Sequence, residues 1–301
     1  MPLDRVQFRA FLLLGLVMIF WAGNAIVARA VHEDVPPLTL AFIRWAGALA
    51  FVATFALAPL RRDLPALRAG WRPVLLLGLL GVGGFNALLY SGLQFSTATK
   101  ALLIQAAIPA LVVLLDRLVF KTRSGVLQAA GTAVSMVGVL VIVFEGDPAA
   151  ALALQLGVGD LLLLAAVVVW SFYTILLRLR PAVSATSFIA ATFAIGVVSM
   201  APLAAWEWLS GDRIAWSWKV AGALLYVSLL PSLVSYFIYN HAAQVVGPAR
   251  AGQAITMMPV FGALLSALLL GERLHGYHLP GIVLICCGIA LGGLALRRSA
   301  R

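Results

Sequence analysis

Residues 21–29 read WAGNAIVAR, and positions 170–178 read WSFYTILLR: in both, a tryptophan precedes an arginine by eight residues at the end of an apolar run. The register continues outward from these stretches. At a shift of about 150 residues, Gln94, Lys100, Ala101 and Pro109 fall on Gln244, Arg250, Ala251 and Pro259, and Gly131 and Gly138 fall on Gly281 and Gly288. Single coincidences mean little in a biased composition, but an ordered series over about 130 residues of each half marks an internal repeat.

The composition says where the repeat resides. Of the 301 residues, 63% are apolar and 11% charged, and the mean hydropathy is +1.04, against about 45–50% apolar and about 25% charged in a soluble domain. A bilayer-spanning helix needs about 20 apolar residues. Apolar runs between breakers predict ten spans, near 9–29, 38–59, 73–93, 97–119, 125–144, 157–178, 184–206, 218–243, 248–270 and 277–296. The first follows Arg5 and Arg9 as a signal peptide would, yet it leads directly into further spans and is read as retained.

With the N-terminus inside, fifteen of the 21 basic residues lie on the cytoplasmic side, including Arg5, Arg9, Arg61, Arg62, Arg117, Arg178, Arg180 and Arg250. Arg29, Lys100, Arg213, Lys219 and Arg273 lie outside. This bias predicts that both termini are cytoplasmic. It also accounts for the formal charge of +10 without nucleic acid as a partner. Each half, 1–146 and 147–301, then holds five spans, and an odd number forces the second copy to enter the membrane upside down. The expected fold is therefore all-α and polytopic, with ten transmembrane helices as two inverted five-helix repeats. That architecture serves secondary transporters, whose halves rock about a site near the midplane.

Other chemistries find little support. Cys286 and Cys287 are adjacent within an apolar run and are read as packing residues. His32, His241, His275 and His278 are scattered over different membrane edges and make no metal set. No phosphate loop, paired-histidine zinc motif or glycine-flanked serine triad occurs, so an enzyme would require Ser232 or Ser235 with a distant base. No cofactor is expected.

The WAGNAIVAR stretch, the Phe42 to Arg44 step, the glutamine-to-proline segments 94–109 and 244–259, and Gly271, Glu272 and Arg273 followed by Gly281 and Gly288 resemble the drug/metabolite transporter superfamily, in its ten-helix EamA-type branch. The resemblance spans essentially the whole chain. It implies a bacterial inner-membrane exporter of small metabolites, with a cavity formed by the first, third, fourth, sixth, eighth and ninth spans. Amino-acid exporters, aromatic ones included, look most similar.

Polar side chains deep in the spans point to that cavity, because an unpaired polar group in an apolar medium costs roughly 2–7 kcal/mol. Asn86, Tyr90 and Gln94 share one helical face, and Ser232, Ser235, Tyr236, Tyr239 and Asn240 form a stripe. Trp21, Asn24, Trp170 and Tyr173 lie well inside their spans. Gln105, Gln253 and Thr256 precede Pro109 and Pro259, which are read as hinges or static kinks. The substrate-binding candidates are Trp21, Asn24, Asn86, Tyr90, Trp170, Tyr173, Ser235, Tyr239, Asn240 and Gln253. The competing reading makes them interhelical bonds that only hold the bundle together.

Arg44, Lys100 and Arg250 are candidate carboxylate or gating contacts. For Arg44, snorkelling and a structural pairing with Asp160 stand beside carboxylate binding. No acidic residue lies near the middle of a predicted span, which favours facilitated diffusion or exchange of a neutral or zwitterionic solute. A proton-driven multidrug exporter is the main alternative, and a membrane receptor a remote one. The spacing of Gly288 and Gly292 in the last span offers a homodimer contact, with a monomer the simpler expectation.

Overall fold

The computed structural model describes residues 5–31, 33–96, 101, 104–105, 107–122, 125–147, 149, 157–270 and 275–299, the side chains of 25, 28, 29, 266, 269, 270, 293 and 295–299 aside. These residues are helical apart from turns and connections, as lipid requires when it offers the backbone no hydrogen bonds. In chain order the passes are α1 (Arg5–Ala30), α2 (Pro37–Ala69), α3 (Trp71–Phe95), α4 (Ile108–Phe120) and α5 (Val126–Val143), then α6 (Val158–Leu176), α7 (Ala185–Leu209) and α8 (Trp218–Val246). The ninth, α9, begins as Pro248–Ala254 and continues as Met258–Leu270, and α10 is His278–Ser299. Among the described residues, seven passes are long and apolar enough to cross a bilayer on those grounds alone.

Successive passes run in opposite directions, giving the bundle two ends. The terminus end carries Arg5, the turn at Gly70 and the α6–α7 connection; Ser184 N–H there donates to Asp63 Oδ2 at 2.9 Å. The far end carries residues 31, 33–36 and 210–217, joined where Ala215 N–H donates to the Asp34 carbonyl at 2.8 Å. Trp206, Trp208, Trp216 and Trp218 are exposed around this end, the place of an aromatic membrane-interface belt.

The repeat is written into the packing. α5 packs most extensively on α10, and α2 on α7, each helix against its own counterpart; α3 packs on α6 as α8 packs on α1. Within the first of these pairs the contacts exchange between halves. A Cβ on Gly131 would come within 2.5 Å of the Gly288 carbonyl, and one on Gly138 within 2.7 Å of the Gly281 carbonyl. Only glycine permits backbones this close. The face of Gly288 and Gly292 is thus covered by α5 and by Gln253 of α9, which corrects the expectation that it offers a homodimer contact.

Two departures from the α-helix also obey the repeat. π turns interrupt α3 at Leu79–Gly84 and α8 at Leu229–Val234, positions 150 residues apart. Each widens its helix and frees carbonyls from the usual ladder. The fourth and ninth passes break just ahead of their prolines. α4 opens at Ile108 with Pro109 in its first turn, whereas α9 passes through a 3₁₀ turn at Ile255–Met257 before resuming with Pro259 second in the new segment.

Three other expectations are revised. α2 runs past Pro59 and Pro65 to Ala69 instead of ending near 59. Proline removes one hydrogen bond but does not forbid the helix, and the extension is an interfacial amphipathic turn with Leu67 buried and Arg61, Arg62 and Arg68 exposed. Cys286 and Cys287 lie on the exposed side of α10, with neighbouring Ile285 and Gly288 turned inward. Asp160 serves the start of α6, where its Oδ2 accepts from Gly157 N–H at 2.8 Å and its Oδ1 from Ser96 Oγ; it does not pair with Arg44.

Candidate substrate cavity

The centre of the bundle is aromatic. The Trp21 ring stands edge-on to Trp170 at 5.3 Å and tilted against Tyr239 at the same distance. Phe85 and Tyr173 approach Trp170 at 4.7 and 5.1 Å, and Tyr236 is held between Trp45 at 4.9 Å and Phe193 at 5.6 Å. Trp170 lies twelve residues into α6, about 18 Å along the axis, so this cluster sits near mid-membrane.

A cavity with an open mouth lies against the cluster. α1 contributes Trp21 and Asn24, α2 Arg44, and α3 Phe85, Asn86 and Leu89. Gln105 and Ile108 enter from the fourth pass, Trp170 from α6, Tyr236 from α8, and Ile255 and Met258 from the ninth. Following chain direction, Asn24, Leu89 and Gln105 lie toward the far end, while Trp170 and Tyr236 form the floor.

Arg44 is 5% exposed. Its Nε donates to Ser232 Oγ, Nη1 to Tyr90 Oη at 3.2 Å and Nη2 to the Pro231 carbonyl at 3.4 Å, with the guanidinium carbon 4.8 Å from the Trp45 ring centroid. These acceptors are uncharged, and no described carboxylate forms a salt bridge with Arg44. A buried cation held this way has a strong electrostatic demand for an anion.

The two π turns connect the halves at this level. Tyr236 Oη of α8 donates to the Gly81 carbonyl in the π turn of α3 at 2.5 Å. Reciprocally, Trp21 Nε1 of α1 donates to the Pro231 carbonyl in the π turn of α8 at 2.9 Å. Gly81 and Pro231 are 150 residues apart, so each half supplies a freed carbonyl that a ring of the other half fills.

On the terminus side of the floor the bundle is closed. Tyr173 Oη donates to Asn240 Oδ1 at 2.6 Å, and the Thr174 and Tyr239 hydroxyls meet at 3.1 Å, all four residues being no more than 2% exposed. Beyond them Arg178 pairs with Asp116, stacks over Phe120 at 4.1 Å and donates from Nε to the Ile175 carbonyl at 3.1 Å, while Thr122 Oγ1 donates to Asp116 at 2.7 Å.

The sequence-derived residues thus divide. Trp21, Asn24, Asn86, Trp170 and Arg44 line the cavity; Tyr90 stands behind Arg44, and Tyr173, Tyr239 and Asn240 form the closed layer beneath. Ser235 instead donates to the Leu230 carbonyl at 2.8 Å and steadies the π turn. Gln253 faces away, donating to the Gly288 carbonyl at 2.8 Å and accepting from Gln128 at 2.9 Å; its helical spacing ahead of Pro259 did not reveal which neighbour it meets. Arg250 donates to the Val246 carbonyl at 3.0 Å, and Lys100 lies outside the described residues. Phe85, Leu89, Ile108, Ile255 and Met258 were missed because an apolar cavity wall and an apolar core look alike in sequence. The Pro231 carbonyl had a signal: a proline in the middle of a span.

Residues 8–144 and 157–293 each match the family model described as the EamA-like transporter family. A probable amino-acid metabolite efflux pump of Salmonella typhimurium is 30% identical over 298 residues, covering 95% of this chain and 96% of that one. Its namesake in Escherichia coli is 27% identical, covering 94% of each, and an uncharacterised transporter of Archaeoglobus fulgidus is 27% identical over 94% of this chain and 96% of its own. A solved crystal structure superposes with a TM-score of 0.74 over 97% of this chain and 99% of that one. At 20% identity that likeness concerns the fold alone.

Proposed function

The chain belongs to the EamA-like transporter family, a multi-pass membrane transporter and not an enzyme, and from that premise we propose that it exports amino acids, aromatic ones included, across a bacterial inner membrane. Transport proceeds by alternating access about the central cavity, as facilitated diffusion or exchange. The observation that carries this reading is the joint lining of one cavity by aromatic rings and by Arg44, a buried cation with no paired carboxylate among the described residues. The rings suit an apolar side chain, and the guanidinium fork suits a carboxylate. The names of the Salmonella and Escherichia relatives point the same way.

In this reading both termini are cytoplasmic, as the distribution of basic residues favours, and the described state is open outward. The Tyr173–Asn240 and Thr174–Tyr239 contacts and the Arg178–Asp116 pair then form the inner gate. Trp21, Asn24, Asn86 and Trp170 contact substrate, while Tyr90 and Ser232 orient Arg44. The breaks ahead of Pro109 and Pro259 are the hinges, one in each half. The units 1–146 and 147–301 move as pseudo-symmetric bodies. A proton-driven multidrug exporter fits less well, because such export calls for a carboxylate exposed to the cavity, and Asp116 and Asp160 are engaged elsewhere.

The test is uptake of labelled tryptophan, phenylalanine, threonine and methionine into proteoliposomes carrying the purified chain, with and without a pH gradient, against protein-free liposomes. Saturable uptake without the gradient is expected. Uptake of bulky cations alone, dependent on the gradient, would favour the multidrug reading.

A further inference from the structure

The cavity's polar groups are unequal in charge, and the inequality restricts what it holds. Arg44 supplies one buried positive charge. The other described lining residues, Trp21, Asn24, Phe85 and Asn86 among them, are uncharged. Three guanidinium nitrogens are each fixed by a neutral acceptor, which leaves one N–H on each terminal nitrogen, since a guanidinium carries five. A carboxylate meets such a pair with two charge-assisted hydrogen bonds.

The second group is Asn24, whose Oδ1 is buried without a hydrogen-bond partner. Asn24 also lines the cavity, and an acceptor left without a partner there is satisfied when rotation of the side chain brings it to a donor on the ligand. An amide oxygen accepts from a hydroxyl as readily as from an ammonium, and it cannot neutralise the ammonium's charge. An amino acid entering here therefore has its carboxylate matched in charge, whereas its ammonium shares the cavity with Arg44 and with no carboxylate among the described lining residues.

We propose, resting on the reading of this cavity as the transport site, that it recognises its substrate as a carboxylate anion with an aromatic body. Aromatic 2-hydroxy acids, which carry a hydroxyl where an amino acid carries its ammonium, are then bound and transported at least as well as the amino acids. Amines and amides that keep the ammonium but lack the carboxylate are bound more weakly. Arg44 sets this selectivity, and Asn24 accepts the hydrogen bond from the substituent beside the carboxylate.

Three probes of one shape separate the charges: phenylalanine, L-3-phenyllactate with the carboxylate alone, and phenylalaninamide with the ammonium alone. Binding to the purified full chain is read by quenching of intrinsic tryptophan fluorescence, and transport by competition against labelled phenylalanine in proteoliposomes. Phenyllactate is expected to bind as tightly as phenylalanine or tighter, and phenylalaninamide at least about tenfold more weakly, the loss of one charge-assisted interaction. Arg44→Lys keeps the charge without the fork and retains part of the preference. Asn24→Asp, which supplies the missing negative charge and leaves Arg44 in place, is expected to turn the order in favour of phenylalanine over phenyllactate. Phenylalaninamide binding as tightly as phenyllactate would overturn the proposal, as would transport of phenylalanine with phenyllactate bound tenfold more weakly; in either case the amino-acid carrier reading survives. If none of the three binds or is transported, the carrier reading falls and the proposal with it.

Discussion

Replacing Tyr236 by phenylalanine removes one hydroxyl and little else. The ring keeps its packing against Trp45, Phe193 and Trp170 at 4.9, 5.6 and 6.0 Å, so the change isolates the bond from Tyr236 Oη to the Gly81 carbonyl at 2.5 Å. Because α3 and α8 belong to different halves, this bond stabilises one relative placement of the halves over another. Interhelical hydrogen bonds in membrane proteins contribute about 0.6 kcal/mol on average and about 1.7 at most. Both groups are buried and the geometry is short, which places this bond in the upper part of that range. At about 1.4 kcal/mol per tenfold, Tyr236→Phe should move the equilibrium away from the described state by roughly 3- to 16-fold. The assay is thiol labelling of two reporters, Leu89→Cys in the cavity wall and Ala243→Cys behind the closed layer, after Cys286 and Cys287 are replaced by alanine. Slower labelling at 89 and faster labelling at 243 is expected. Unchanged rates at both sites, in a variant that folds and inserts normally, would refute the claim that the π-turn carbonyl links the halves.

Other perturbations test separate parts of the account. Gly138→Val would drive a branched side chain onto the α10 backbone, where even a Cβ lies 2.7 Å from the Gly281 carbonyl; overpacking of this kind costs about 1–3 kcal/mol and should lower the apparent Tm in detergent. Arg178→Gln strips Asp116 of its cation; because Arg178 is about a third exposed, solvent screening keeps the loss to about 1 kcal/mol, seen as several-fold faster labelling at Ala243→Cys and reversed in the charge-swapped pair Asp116→Arg with Arg178→Asp. Trp170→Ala and Tyr90→Ala should each weaken transport without lowering membrane abundance, and wild-type kinetics in both would remove them from the site.

The repeat was legible because it is carried by residue types that lipid makes costly or geometrically special. Trp21, Trp170, Pro109, Pro259, Gly131 and Gly281 keep their register through a background of interchangeable apolar residues. The cavity was legible in part for the same reason: Asn24, Asn86 and Trp170 are polar or amphipathic groups too deep for lipid. What escaped was direction. Gln253 and Asn24 look alike in sequence, yet Gln253 faces α10 and Asn24 the cavity, since a helix's rotation is set by partners distant in the chain. The π turns escaped because Leu79–Gly84 and Leu229–Val234 differ in composition and share only their place in the repeat. α2 was ended too early by reading Pro59 as a stop, when the basic residues beyond it are compatible with a helix in the interface.

The central claim, alternating access about this cavity, is tested most directly by adding substrate to the two reporters. In proteoliposomes that transport phenylalanine, saturating phenylalanine should change labelling at Leu89→Cys and Ala243→Cys in opposite directions, protecting the first as the second becomes reactive, with the same half-maximal concentration as uptake. Labelling that stays constant at 243, or rises and falls together at both sites, would contradict it.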